Sequence, residues 1–229
     1  MPRGVGSKLP QPSGVDTKGA ATMMQFPPTT QKPFHLTPEQ LQNLKAKVSH
    51  GLVDGQYVST IDVVTALFAV LITQARGHGK GVNISTAVNS RTRFSPPLPP
   101  NYAGNCIFSS SSSHPAQEIE SASVETIQRV ALSIRAGVLR LDEKFLRDAV
   151  EMIAPKGGRW MALPAGGSSF FGPDIMFTSW ANMGMYKADF GAGTPVYAGP
   201  PTLPVCDGLV VILEAMNHAT GLDVLPLLE

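Results

Sequence analysis

Apolar side chains recur at intervals of three and four residues along much of the first half of the chain, which predicts helices. The first helix follows Thr37, which we interpret as its N-cap, with Pro38 in the first turn and Gln40 completing a capping box. The second begins at Ser59 or Thr60. It is apolar around most of its circumference, so we expect it to be deeply buried.

Alternation of apolar and polar residues predicts strands elsewhere, most clearly over 82–90. Residues 106–113 form a plausible second strand, although their serine run could equally be a loop. The remaining predicted elements are helices over 115–140 and 142–154 and strands over 174–180, 208–215 and 222–227, the last two joined as a hairpin. We therefore predict an α/β (α+β) fold, in which helices flank a mixed or antiparallel sheet.

The first 32 residues differ from the rest in composition. They are rich in Pro, Gly, Gln, Ser and Thr and have almost no periodic apolar pattern. We interpret residues 1–32 as a disordered leader and residues 33–229 as one folded domain.

Composition narrows the class of protein. The net charge of +1 gives no electrostatic reason to expect binding to nucleic acid or to an anionic membrane. No apolar run approaches the roughly 18 residues of a membrane helix, so we expect a cytoplasmic protein.

Cys106 and Cys206 lie far apart without metal-ligand spacing. We expect two reduced thiols and no metal site, although a single disulfide stays open.

Four segments carry a family resemblance. One is the run NSRTRFSPPLPPNYAGN at 89–105, and another is the pair of motifs TSW at 178–180 and ADFGAG at 188–193. The other two are residues 34–41 continuing to 59–63, and Gly199-Pro200 followed by the closing strand pair. In their order along the chain they resemble the C-terminal half of BAHD-type acyl-CoA-dependent acyltransferases, including the R-x-R-x-x-PPLP-x-x-Y-x-GN and DFGWG motifs. Ala192 stands where the family usually has Trp, which puts local packing in doubt.

The resemblance implies one lobe of the chloramphenicol-acetyltransferase-like fold. It also implies acyl-CoA as a co-substrate, no permanently bound cofactor, and a small-molecule alcohol or amine of secondary metabolism as the acceptor of an acyl group other than aminoacyl. The expected protein partner is a complementing N-terminal lobe or a second copy of the chain.

The resemblance also assigns candidate site residues. Ser59, Thr60, Arg91 and Arg93 fall where the family lets CoA approach, although helix capping explains Ser59 and Thr60 equally well. Thr178 and Trp180 fall on a strand that borders the family's substrate channel, although Trp180 could equally be part of the core.

The DFG-x-G residues are expected to be structural. The motif residues are Asp189, Phe190, Gly191 and Gly193. We expect the Asp189 carboxylate to be partly buried and to pair with Arg91 or Arg93.

The family's chemistry depends on a histidine in an H-x-x-x-D-G motif, which acts as the general base. The only such match here is His50-x-x-x-Asp54-Gly55. It follows a predicted amphipathic helix rather than a buried strand, so we interpret it as fortuitous and expect no catalytic base in this chain.

Three functions follow. The first is a partial acyltransferase that lacks the lobe with the catalytic histidine and is inactive alone, or active only with a partner that supplies that lobe. The second is a non-catalytic protein that binds CoA or a partner through an apolar surface. The third is an incomplete gene product.

Overall fold

The computed structural model describes residues 29–155, 172–200, 207–216 and 219–229. The helices of this part are α1 (Pro38–Ser49), α2 (Thr60–Arg76), α3 (Val124–Leu139) and α4 (Glu143–Ile153). The strands are β1 (Thr30–Gln31), β2 (Phe34–Leu36), β3 (Val82–Asn89), β4 (Ile107–His114), β5 (Ile175–Ser179), β6 (Leu209–Glu214) and β7 (Leu222–Leu228).

All the described strands belong to one mixed sheet, in the order β1-β7-β6-β5-β3-β4, with β2 also paired to β7. Strands β3, β5 and β6 run parallel to one another. The pairs β3–β4 and β6–β7 are antiparallel. Helices flank this sheet, as the sequence predicted.

The predicted helix starts are confirmed by their capping boxes. The Thr37 hydroxyl accepts the Gln40 N–H at 3.2 Å, and the Gln40 side chain accepts the Thr37 N–H at 2.9 Å. Ser59 and Asp62 repeat this exchange at the start of α2. Each box satisfies backbone donors that a helix N-terminus leaves free, which is why these short patterns were informative.

Two other expectations needed the structure. The single helix predicted over 115–140 is wrong, because α3 begins only after Ser123, whose hydroxyl accepts the Thr126 N–H. A short 3₁₀ turn at Ala116–Glu118 precedes it. The serine run is a strand rather than a loop, since β4 pairs with β3 along its whole length.

The main core lies between one face of the sheet and helices α1, α2 and α3. Its fully buried members include Val64, Val70, Val130, Ile84, Phe177 and Ile212. Nine residues of α2 are buried, so this helix is as deeply enclosed as its sequence predicted.

The opposite face of the sheet has two halves. Over β6 and β7 it is apolar, with Val211, Leu213 and Leu225 packed against Trp180, Met185 and Met216. Over β3 and β4 its side chains are small or polar, because strand alternation places Asn83, Ser85, Ser109, Ser111 and Ser113 there.

Strand β1, at Thr30–Gln31, lies within the residues interpreted as a leader and pairs with the end of β7. The rest of the predicted leader, residues 1–28, lies outside the described residues, as does Cys206. Cys106 is buried. Within the described ranges no helix is both long and apolar enough to cross a membrane, and no cluster of three or more potential ligands could hold a metal ion.

Candidate functional site

The three parallel strands bring the candidate residues to one edge of the sheet. Arg91 follows the carboxyl end of β3, and Trp180 follows that of β5. Helix α2 leads into the amino end of β3, so its own N-terminus, with Ser59 and Thr60, lies at the carboxyl edge. Ligands of open α/β sheets bind outside this edge.

A cleft of about 480 Å³ opens at this edge. Its walls include Thr60 and Ile61 from α2, Lys45 from α1, and Ala181 and Asn182 from the segment after β5. A larger cavity, of about 560 Å³, lies between β4 and α4, but it is lined by none of the candidate residues. We therefore take the first cleft as the candidate site.

Ser59 and Thr60 have different environments. The Ser59 hydroxyl accepts the Asp62 N–H at 3.2 Å, and Asp62 Oδ2 accepts the Ser59 N–H at 2.6 Å. Ser59 is therefore engaged in capping, whereas Thr60 lines the cleft. Helix capping therefore explains Ser59, and contact of Thr60 with CoA stays a prediction.

Arg91 holds the proline-rich loop that follows it. Its Nη2 donates to the Gly104 carbonyl at 2.7 Å, and its Nε donates to the Tyr102 carbonyl at 3.3 Å. The guanidinium also lies 6.0 Å from the centre of the Tyr102 ring. The loop is thus tied back to the end of β3.

Arg93 joins the same loop to the end of α3. Its Nη1 donates to the carbonyls of Val138 and Leu141, at 2.9 and 3.0 Å. Carbonyls at a helix C-terminus lack intrahelical partners, so a cation is well placed there.

The predicted pairing of Asp189 with Arg91 or Arg93 is wrong, and Asp189 is exposed rather than partly buried. Its Oδ1 accepts the N–H groups of Gly191 and Gly193 at 2.7 and 3.1 Å. Both glycines have φ near +95°, a backbone region that disfavours side chains. The carboxylate therefore closes its own turn.

Thr178 and Trp180 point to the same face of the sheet, opposite the helices. Both are half-buried. The Trp180 side chain packs against the apolar cluster of β6 and β7, and its backbone N–H donates to the Ile212 carbonyl at 2.7 Å. Trp180 thus packs against the sheet and lies next to Ala181 at the cleft.

His50 and Asp54 lie apart from this edge cleft. His50 is the exposed C-cap residue of α1, and its carbonyl accepts the Gln128 side chain at 2.9 Å. Neither His50 nor Asp54 lines either of the two cavities described above.

Sequence reasoning missed an alignment of serine, histidine and carboxylate. The Ser112 hydroxyl lies 3.2 Å from His114 Nε2, and His114 Nδ1 lies 3.7 Å from Glu118 Oε2, beyond hydrogen-bond distance. Burial lowers the pKa of His114, against the opposing charge of Glu118. Ser112 and His114 are only 6% and 3% exposed, so a substrate has no access and we assign no catalytic role.

Comparison with known proteins identifies the family. The family model described as the Transferase family matches residues 20–229. The shikimate O-hydroxycinnamoyltransferase of Nicotiana tabacum is 31% identical over 84% of this chain. The chain belongs to the Transferase family. The rosmarinate synthase of Plectranthus scutellarioides is another similar relative, 32% identical over 79% of the chain. The expected BAHD-type family is thereby confirmed.

Two solved structures confirm the expected fold. The structure of the F. sporotrichioides protein complexed with coenzyme A and T-2 superposes on 88% of this chain with a TM-score of 0.70 at 20% identity. Vinorine synthase superposes on 87% with a TM-score of 0.61 at 19% identity.

The chain spans less than half the length of these proteins. It covers 43% of the tobacco relative and 44% of the rosmarinate synthase. It covers 46% of the F. sporotrichioides protein and 44% of vinorine synthase.

Proposed function

We propose that this chain is one lobe of an acyl-CoA-dependent acyltransferase that acts on an alcohol or an amine. The observation that carries the proposal is the cleft at the carboxyl edge, where Thr60 of α2 faces the segment that follows Trp180. One assigned residue, Thr60, thus lines a cavity whose opposite wall comes from the segment directly after another, Trp180.

The similar proteins support the reaction class. Their names include a shikimate O-hydroxycinnamoyltransferase and an agmatine hydroxycinnamoyltransferase, so alcohols and amines both occur as acceptors among them. Coenzyme A is bound in the F. sporotrichioides structure. We propose acyl-CoA as a co-substrate that is released after each turnover.

The reaction needs a base and an anion-stabilising environment. The base removes the acceptor's proton while its oxygen or nitrogen attacks the thioester carbonyl. The carbon–sulfur bond then breaks, the acyl group stays on the acceptor, and the CoA thiolate takes up a proton. In this scheme Thr60 contacts CoA, Arg91 and Arg93 hold the proline-rich loop in place through backbone carbonyls, and Thr178 and Trp180 line the route to the acceptor.

We propose that the base comes from outside this chain. His50 is exposed at the end of α1, away from the candidate cleft. A complementing lobe, like the half of its relatives that this chain does not match, would supply the missing group.

Calorimetry and turnover test the proposal together. We expect CoA to bind the full chain and acyl transfer to occur only when the unmatched half of the tobacco relative is co-expressed. Substrates would be acetyl-CoA or a hydroxycinnamoyl-CoA with a panel of alcohols and amines.

Absence of both CoA binding and transfer would overturn the proposal. Transfer by the chain alone that His50→Ala abolishes would assign the base to His50 instead. CoA binding without transfer in the complex would favour a non-catalytic binding protein.

A further inference from the structure

The two edges of the sheet differ in their protection against pairing with another chain. At one edge, β7 is covered by β1 and β2, which are two and three residues long and have Pro33 between them. At the other edge, β4 is eight residues long and pairs, among the described strands, with β3 alone. Short strands and proline are common means of keeping a further strand away from a sheet edge. Strand β4 has neither, so its outer edge is open to pairing.

A groove runs along this open edge. The cavity of about 560 Å³ between β4 and α4 is lined by Ser109, Ser110 and Ser111. Successive side chains of a strand point to opposite faces of the sheet, so a cavity that touches all three residues lies along the edge of the strand. Its other wall includes Phe145 of α4. We call this cavity the edge groove; it has an open strand on one side and a helix on the other.

Helix α4 carries an exposed apolar stripe beside the same groove. Phe145 and Met152 are seven residues apart, so they lie on one side of the helix, and they are 48% and 55% exposed. Leu146 is the single buried residue of α4, whose eleven residues are all described. Most of the stability of an amphipathic helix comes from packing of its apolar side, and within the described part of the chain this stripe is not packed.

We propose that the outer edge of β4 pairs with β4 of a second copy of this chain, so that the two sheets join into one. Two identical strands related by a two-fold axis run antiparallel, as the interface of a closed homodimer requires. The consecutive serines from Ser109 to Ser113 make the strand self-complementary, because a hydroxyl both donates and accepts hydrogen bonds. No residue from Ile107 to Ser113 carries a charge that would oppose the approach.

The same occupant covers the stripe of α4. A two-fold axis perpendicular to the joined sheet leaves the helices of both copies on one side of it, so the two α4 helices face each other across the junction. Phe145 and Met152 then become buried between them. Met152 does not line the edge groove, so a lone peptide strand in the groove would leave it exposed. A second copy therefore accounts for both the open edge and the apolar stripe.

Arg140 occupies the middle of this edge in the single chain. Its Nη2 donates to the Ser111 carbonyl at 3.0 Å, so that carbonyl already has a side-chain partner. Pairing with a second strand replaces this hydrogen bond with one from a backbone N–H. Cationic side chains at a strand edge oppose such pairing. Arg140 is therefore a guard of the edge, and its loss should strengthen the dimer.

Sedimentation velocity of the full chain over a range of concentrations tests the proposal. We expect a monomer–dimer equilibrium whose dissociation constant rises about ten-fold or more in Met152→Glu, which places a charge in the buried stripe. The matched control is Met183→Glu, because Met183 is 60% exposed but follows β5, and it should leave the constant unchanged. Arg140→Ala should lower the constant about five-fold, as expected for loss of one competing hydrogen bond. The thermal midpoint of Met152→Glu should equal that of the original chain.

Hydrogen exchange locates the contact within the dimer. The backbone amides of residues 107–113 should gain protection as the concentration rises, and those of the internal strand β6 should not change. The measurement is made on the original chain and on Arg140→Ala, in which the dimer is expected to be more populated.

Other results would overturn the inference. They are a monomer at every concentration for both the original chain and Arg140→Ala, an equal loss of affinity in Met183→Glu, or a dimer whose β4 amides gain no protection. A monomeric original chain whose Arg140→Ala variant dimerises through β4 would support the inference, and Met152→Glu is then tested in that variant. This pairing is independent of the proposed function, because it requires neither CoA binding nor acyl transfer.

Discussion

Asp62 and Arg135 form an ion pair that joins α2 to α3 beside the candidate cleft. The Nε and Nη2 atoms of Arg135 both donate to Oδ2 of Asp62, which also accepts the Ser59 N–H. The side chains of Arg135 and Asp62 are 15% and 5% exposed. One carboxylate therefore caps α2 and fixes the neighbouring helix, which sets the position of Thr60 at the cleft.

Breaking this pair should destabilise the fold. We expect Arg135→Leu to lower the free energy of unfolding by about 3 kcal/mol, because it leaves a buried carboxylate without its cation. Urea denaturation measures the change. The matched control is Arg147→Leu, which removes a guanidinium from an exposed pair with Glu143 on α4 and should leave the midpoint unchanged. Equal effects of the two substitutions would contradict this account.

The buried imidazole of His114 predicts a dependence of stability on pH. Burial lowers its pKa from 6.5, so this imidazole binds a proton more readily in the unfolded chain than in the folded chain. Its contribution to stability is therefore complete above about pH 6.5 and is lost as the pH falls through the lowered pKa. Thermal melts between pH 8 and 5 should show this loss, and His114→Gln should reduce the slope. The exposed His78→Gln is the control, and an identical slope in all three proteins would refute the assignment.

A substitution of Arg93 distinguishes a structural role from direct contact with CoA. Because its guanidinium binds two backbone carbonyls, we expect Arg93→Met to lower the free energy of unfolding by about 2 kcal/mol. The CoA dissociation constant of the folded variant should stay unchanged. The comparison is Lys80→Met, which removes an exposed cation elsewhere. Unchanged stability with weaker CoA binding would instead make Arg93 a direct ligand.

Filling the candidate cleft should prevent ligand binding. We expect Ala181→Trp to raise the CoA dissociation constant about ten-fold or more, because the indole occupies the space between α2 and the segment after β5. Ala116→Trp fills a different cavity, next to Gln74 and Gln117, and should leave CoA binding intact. Calorimetry distinguishes them, and the proposed location of the site fails if Ala181→Trp binds CoA normally.

Patterns within a few residues identified most elements of the fold. The capping boxes at Thr37 and Ser59 set the starts of α1 and α2, since their hydrogen bonds join residues three apart. The prediction of one helix over 115–140 was wrong about its start, because the Ser123 side chain caps a helix that begins at Val124 although the apolar pattern is continuous.

The sequence alone determined the family, the mixed α/β character and the helix starts, because motifs, periodicity and caps are local properties of the chain. Only the tertiary structure decided which polar groups become partners. Asp189 bonds to its own turn because the N–H groups of Gly191 and Gly193 lie two and four residues away, where closing the loop costs little entropy. Thr60 and Asn182 line the same cleft because of the order of the parallel strands, which no local pattern specifies.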